Sequence, residues 1–415
     1  MTVGTNWARH HEYRATTLHR PRTIEELQEV VAKAPRIRAL GSRHSFSDIA
    51  DSTELVSLDA LPPAIRIDGE SETVSFSAGL RYGDLGPVLQ SAGWALRNLA
   101  SLPHISVAGS IATGTHGSGD RNGTLSRAVS GLEYVLADGS IRTISPVDPD
   151  FDGAVVALGA LGVLSRVTLD IEPTFDVRQD VYESLTWTSL LENFDAVMSR
   201  AYSVSVFTTW EGESVGRVWL KSVIGERKPP QTLYGATPVQ AQRHPLAEQP
   251  TESTTLQGGI PGPWIDRLPH FRLEFTPSNG DELQSEYLVP RQHAVEAVQA
   301  VRALGARITP HLHVSELRSM AADSLWLSGA YETDALGIHF TWKKEPDAVL
   351  PLLPVIEDAL APFDARPHWG KLFHAVRPEL YPRLDDFRAL ADRMDPSGKF
   401  RNEFVDRHVF GVTPT

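Results

Sequence analysis

Residues 107–119 of this chain, Val107-Ala108-Gly109-Ser110-Ile111-Ala112-Thr113-Gly114-Thr115-His116-Gly117-Ser118-Gly119, carry almost no large side chain, and they follow Ser101-Leu102-Pro103-His104-Ile105-Ser106. A segment so bare lets its backbone come close to another group. A second loop of the same kind, Gly41-Ser42-Arg43-His44-Ser45, follows residues 36–40, which read as a strand. Inward-pointing backbone N–H groups in such loops form anion cradles, for which a diphosphate is the natural guest. Neither loop contains Gly-Lys-Ser/Thr, and neither presents the GxGxxG fingerprint in its proper context. Gly-rich turns also occur in ordinary loops, so on residues alone a phosphate cradle stands beside a pair of plain tight turns.

Around these loops the pattern is mixed. Thr23 and Glu26 have capping-box spacing ahead of Ile24, Leu27, Val30 and Val31, which predicts a helix from residue 24. Residues 73–79 alternate like a strand, and 84–92 look helical up to Gly93. Two runs flanking Asp138-Gly139, at 129–137 and 140–144, predict a hairpin. Residues 153–169 read as a small-residue helix and a closing strand. Beyond Pro173 longer β-like runs appear at 202–210 and 216–223, with helices expected at 295–304, 348–360 and 385–393, the last ending in a turn at Asp395-Pro396-Ser397-Gly398. We place a domain boundary near residue 173; two or three domains are expected of 415 residues.

Composition removes several function classes. Lys plus Arg number 39 against 52 Asp plus Glu, a net charge of −13, which opposes nucleic-acid binding while leaving room for a local basic pocket. There is no cysteine, hence no disulfide, thiolate metal site, iron–sulfur cluster or cysteine nucleophile. No metal is expected: HExxH spacing is absent, and His311 and His313, two residues apart, read as surface or strand residues. Residues 1–20 lack the apolar core of a secretory signal, and no stretch approaches the ~20 apolar residues that span a bilayer. The expectation is a cytoplasmic protein with no membrane partner, and, with no coiled coil, a monomer.

Glu316 and Arg318 are two residues apart, as are His339 and Thr341, so on strands each pair shares a face. Such pairs could floor a polar site or line two solvated strand faces, where an ion pair contributes little.

The loops 41–46, 101–110 and 113–119 together resemble the FAD domain of the vanillyl-alcohol-oxidase flavoprotein family. The strings Ser315-Glu316-Leu317-Arg318, His339-Phe340-Thr341-Trp342 and Pro367-His368-Trp369-Gly370-Lys371 resemble the alditol (xylitol) oxidases within it, and the segment 395–404 resembles the family's C-terminal stretch. The likeness runs in order along nearly the whole chain. It implies a two-domain α+β flavoprotein: an FAD-binding domain of residues 1–173, completed by 376–415, and a mixed-sheet substrate cap of residues 174–375.

The resemblance also implies roles. His44 would be joined covalently to the flavin, and Gly41, Ser42, Arg43 and Ser45 would cradle the pyrophosphate. Ser101, Ser106, Gly109, Thr113, Gly114, Thr115 and His116 would add contacts to the cofactor, with His368 near the flavin; the side chains of His104 and His116 are given no catalytic part. A polyol would be bound by Ser101, Glu316, Arg318, Thr341 and Lys371. Arg318 and Lys371 would stabilise a developing alkoxide, and His339 is the candidate to hold or take the proton. Ala100, small and beside the flavin, would admit oxygen. The implied activity is oxidation of an alditol with hydrogen peroxide as by-product; a sugar-lactone oxidase or dehydrogenase of the same fold is the alternative.

Overall fold

In the computed structural model, which describes residues 3–246, 249–275 and 280–412, Thr23 starts the first helix as its spacing requires. Its hydroxyl accepts the Glu26 N–H at 3.2 Å, and helix Ile24–Lys33 buries Leu27 and Val31. Strands Thr17–His19, Glu54–Val56 and Ile37–Ala39 form a small parallel sheet with the second of them in the middle. The hairpin is also present: Val129–Val135 pairs antiparallel with Ile141–Ile144, and Gly139 takes the left-handed φ of +84° that its turn needs. That hairpin closes a five-stranded sheet ordered Arg66–Asp68, Thr73–Ser77, Val163–Asp170, Val129–Val135, Ile141–Ile144.

The end of the chain returns to this half. Lys399 Nζ donates to the carbonyls of Val31 (2.7 Å), Ala32 (3.1 Å) and Ala137 (2.6 Å). The first two lie at the C-terminal end of helix Ile24–Lys33, where a cation suits the helix dipole. Arg38 donates to the carbonyls of Leu158 and Phe400, and Asn402 Nδ2 reaches the Asp51 carbonyl at 2.9 Å. Helix Leu384–Met394 adds Phe387, Leu390 and Met394 to the same core as Leu27, Phe76 and Leu132.

The middle of the chain builds a nine-stranded antiparallel sheet. Its main path runs Thr237–Val239, Asp176–Glu183, Arg217–Val223, Ser203–Thr208, Leu312–Met320, Ala335–Lys343, Glu282–Pro290, Arg366–Pro367, with Gly262–Pro263 pairing beside the second strand. Alternation decides its faces. Leu317, Ile338, Phe340, Trp342, Leu283 and Val289 pack into a second core with residues of helices Ala294–Ala303 and Leu352–Leu360. Their alternating neighbours Glu316, Arg318, His339, Thr341, Gln284 and Glu286 line a cavity.

Three elements differ from expectation. The helix expected at 348–360 is split into Pro346–Val349 and Leu352–Leu360, with Pro351 between them. The small-residue helix is only Phe151–Val155. Within the bare loop, Val107–Ala112 forms a short helix that buries Val107, Ser110 and Ile111; small residues on its other face hide that spacing in the sequence. No helix among the described residues is long and apolar enough to cross a membrane.

Candidate active site

The cavity, about 990 Å³, is walled on one side by the two small-residue loops and floored by the polar face of the nine-stranded sheet. The loops are keyed together. Ser42 Oγ accepts the Ser106 N–H at 2.8 Å, while the Ser106 hydroxyl occupies the space that a side chain on Gly41 would need. Arg43 adopts a left-handed φ of +63°, and its guanidinium turns away to the Val3 carbonyl (3.0 Å) and the Tyr13 ring, leaving its backbone on the wall. His44 lies against Trp7, with ring centroids 5.4 Å apart, and its Nδ1 is 3.0 Å from Ser42 Oγ. Burial, then the neighbouring His104, pushes the His44 imidazole down to about 4, so it is neutral near pH 7. The Phe46 N–H donates to the Gly370 carbonyl at 2.9 Å, and His368 Nδ1 accepts the Gly370 N–H at 3.1 Å, which joins this wall to the segment carrying Lys371.

The floor is a cluster of charges. Glu286 and Glu316 lie directly opposite His339 from its two neighbouring strands. Glu286 Oε2 is 2.6 Å from Lys371 Nζ, while its Oε1 is 3.2 Å from Arg318 Nη2 and 3.1 Å from His116 Nε2. Burial alone would raise the Glu286 carboxyl; Lys371, His116 and Arg318 together hold it well below the usual carboxylate range. A side chain on Gly337 would come within 2.9 Å of Glu286 Oε1, so this crowding needs glycine there. Glu316 is lowered too, with burial opposed by Arg318 and His270.

Lys371 Nζ also lies 2.6 Å from His339 Nδ1. An ammonium only donates, so Nδ1 accepts and the ring proton sits on Nε2, 3.0 Å from Thr341 Oγ1. Burial, then Lys371, pushes His339 down to about 4. Arg318 Nη1 reaches Ser101 Oγ at 3.3 Å, but its buried Nε has no hydrogen-bond acceptor; Glu316 Oε2 is 3.6 Å from it. A donor left open in this way beside a free carboxylate oxygen can receive a hydroxyl group, which both donates and accepts.

Most of the residues singled out in the sequence converge here: Ala100, Ser101, Ser106, Gly109, Thr113, Thr115, His116, His368 and the floor residues all line the cavity. Gly114 does not; with φ +63° it turns the chain behind the wall, just after the short helix. The hydroxyls of Thr113 and Thr115 are 3.1 Å apart, and Thr113 also donates to the Gly109 carbonyl. The side chain of His116, given no special part above, touches the central carboxylate. Sequence reasoning missed Glu286, although Gln284 and Glu286 show the same two-residue spacing as the pairs it used. It also missed His270, 2.7 Å from Glu316, and Lys221, a buried charge inside the strand Arg217–Val223. His311 pairs instead with Glu345 at 2.7 Å, and His313 lines the cavity.

The wall also fits FAD as its guest. Gly41, Gly79, Gly109, Gly159 and Gly162 bare the backbone at five places in the cavity lining, as a long nucleotide lying against backbone amides requires. The FAD binding domain family matches residues 15–145, and the D-arabinono-1,4-lactone oxidase family matches residues 280–408. An alditol oxidase from Streptomyces sp. is 47% identical, over 97% of this chain and 98% of its own length. An L-gulono-1,4-lactone dehydrogenase of Mycobacterium tuberculosis is 30% identical over 99% of both chains, and the L-gulonolactone oxidase of Bos taurus 26% identical over 97% of both. Among solved structures, cholesterol oxidase from B. sterolicum shares the fold at a TM-score of 0.78 and 16% identity, over 98% of this chain and 96% of that one. Loops, floor and near-full-length identity agree: the chain belongs to the alditol oxidases, within the vanillyl-alcohol-oxidase type of FAD flavoproteins.

Proposed function

We propose that this enzyme oxidises a terminal hydroxyl of an alditol such as xylitol or sorbitol to the aldose, with O2 as acceptor and hydrogen peroxide as product. The observation that carries this reading is the buried floor of paired donors and acceptors, with Arg318 Nε open beside Glu316 Oε2. A polyol offers adjacent hydroxyls, and Glu316, Arg318, Thr341 and Ser101 would take them in turn.

FAD would be held by the loops at 41–46 and 106–116 and by His368, with His44 as its covalent anchor; a neutral imidazole has the lone pair such a bond needs. We assign the cofactor half to residues 1–173 with 376–415 and the cap to 174–375. When bound, the cofactor supplies the hydride acceptor and the route for electrons to O2.

The chain's own residues handle the proton. Lys371 and Arg318 donate to the reacting oxygen and stabilise it as it becomes an alkoxide. The hydroxyl proton passes to Lys371 Nζ as Lys371 gives one of its own to His339 Nδ1, 2.6 Å away. The resulting imidazolium lies 3.6 Å from Glu286 Oε2, which offsets its charge. Ala100, buried on the cavity wall, leaves space for O2. We place the enzyme in the cytoplasm as a monomer, which fractionation and gel filtration check.

Steady-state turnover of xylitol and of L-gulono-1,4-lactone, with peroxide measured, tests the reading. Xylitol should be the better substrate and release one peroxide per turnover. Faster turnover of the lactone would replace the alditol reading with a lactone oxidase.

A further inference from the structure

Lys221 stands in the middle of strand Arg217–Val223, is 1% exposed, and has no carboxylate within ion-pair distance among the described residues. Its Nζ donates to the carbonyls of Leu268 and Pro269 and lies 3.0 Å from His270 Nδ1. A lysine buried without a counter-ion is costly, and apolar residues would fill the same space more cheaply.

The cost is explained by what the ammonium does to its neighbour. Burial pushes Lys221 down to about 7; in its ammonium form it can only donate, so His270 Nδ1 accepts and the ring proton sits on Nε2. That nitrogen is 2.7 Å from Glu316 Oε1 and therefore donates to it. The ring cannot turn away, because Trp219 and Phe207 meet it edge-on with centroids 5.1 and 5.6 Å apart, and the His270 N–H is bonded to the Ser101 carbonyl at 3.1 Å. The other tautomer would set two donors against each other at Lys221 and two acceptors at Glu316. Burial, then Lys221, also keeps the His270 ring neutral, pushed down to about 4.

We propose that Lys221 is a positioning residue of the substrate site: through the tautomer of His270 it saturates Glu316 Oε1 from behind and leaves Oε2 facing the cavity to accept a substrate hydroxyl. This rests on the reading of Glu316 as a substrate ligand. The backbone of His270 also anchors Ser101, which touches Arg318, so the same strap sets a second ligand.

The test compares flavin-loaded wild type, K221M, H270Q, E316Q and K221M/E316Q with xylitol. K221M should keep its flavin absorbance and raise KM by about tenfold, with a smaller change in kcat, as expected for a lost hydrogen bond to a charged group. H270Q should be milder, because its amide donates to Glu316 with no tautomer to set. In the E316Q background K221M should add less than about twofold, since both act through one carboxylate. If K221M yields no folded protein, H270F carries the same expected rise in KM and the same non-additivity. A wild-type KM in K221M, or effects of K221M and E316Q that multiply, overturns the inference while leaving Glu316 in the site. An unchanged KM in E316Q removes Glu316 from substrate binding, and the inference falls with it.

Discussion

The loop at residues 41–46 meets the cavity with backbone, hydroxyls and a neutral imidazole, whereas the floor meets it with the carboxylates of Glu286 and Glu316, the Arg318 guanidinium and, from the turn after the last strand, Lys371, all nearly buried. The wall is held by contacts such as Ser42 to Ser106, each of which could be lost with its neighbours intact. In the floor every charge is another's counter-ion: Glu286 alone touches Lys371, Arg318 and His116. The wall should therefore tolerate the loss of a single side-chain contact while the floor should not, even though both belong to one cavity.

The largest effect should come at the centre of the floor. Glu286→Gln leaves Lys371 and Arg318 buried without their shared anion, a change that costs roughly 3–5 kcal/mol when a buried pair is broken. We expect a matching fall in thermal stability and a loss of kcat/KM of at least ~10³-fold, since the cations proposed to meet the reacting oxygen lose their placement. Retention of most of the activity would show that the floor is not a single coupled unit. Lys371→Ala should come next, lowering kcat by ~10²–10³-fold with flavin content unchanged. Near-normal turnover would take Lys371 out of the mechanism.

The wall should answer more mildly. His44→Ala should release its flavin on acid precipitation yet keep more turnover than Lys371→Ala; flavin that stays with the precipitated protein would contradict the anchor. Ser42→Ala, which removes one link between the loops, should cost about 1 kcal/mol of stability and leave turnover within about threefold.

Acid acts on both regions alike, since His44 in the wall is pushed down to about 4 as His270 and His339 are. Burial, then Lys221 for His270 and Lys371 for His339, pushes these rings down to about 4 in the fold, against an ordinary value of 6.5. Between those values the unfolded chain binds more protons than the folded one. Stability therefore falls as pH drops from 6.5 towards 4, and is unaffected by these groups above 6.5. Melting temperatures at pH 7.5, 6 and 5 should show that decline, and H270Q should flatten it in part.

The same contrast explains what was legible in the sequence. Within each of the two wall loops the glycines and serines stand close together in the chain, and helix Ile24–Lys33 and the hairpin at Gly139 announce themselves by local spacing. By spacing alone the floor was legible where two polar residues share a strand, as Glu316 with Arg318 and His339 with Thr341 do, while Lys371 was reached only through the family resemblance. Glu286 finds its partners 32 and 85 positions further on, and Lys221 meets His270 49 positions away. Long-range pairs of this kind leave no periodic trace. Lys221 reads as an interruption of an apolar strand, and His270 lies in an irregular segment where no alternation marks an inward face.

The visible spectrum of the purified enzyme, mixed with xylitol without air and then opened to air, probes the flavin wall and the polyol floor in one trace. The yellow flavin band should bleach on mixing and return with oxygen, as peroxide accumulates. A yellow protein whose band does not change with xylitol would keep the flavin wall and contradict the polyol floor.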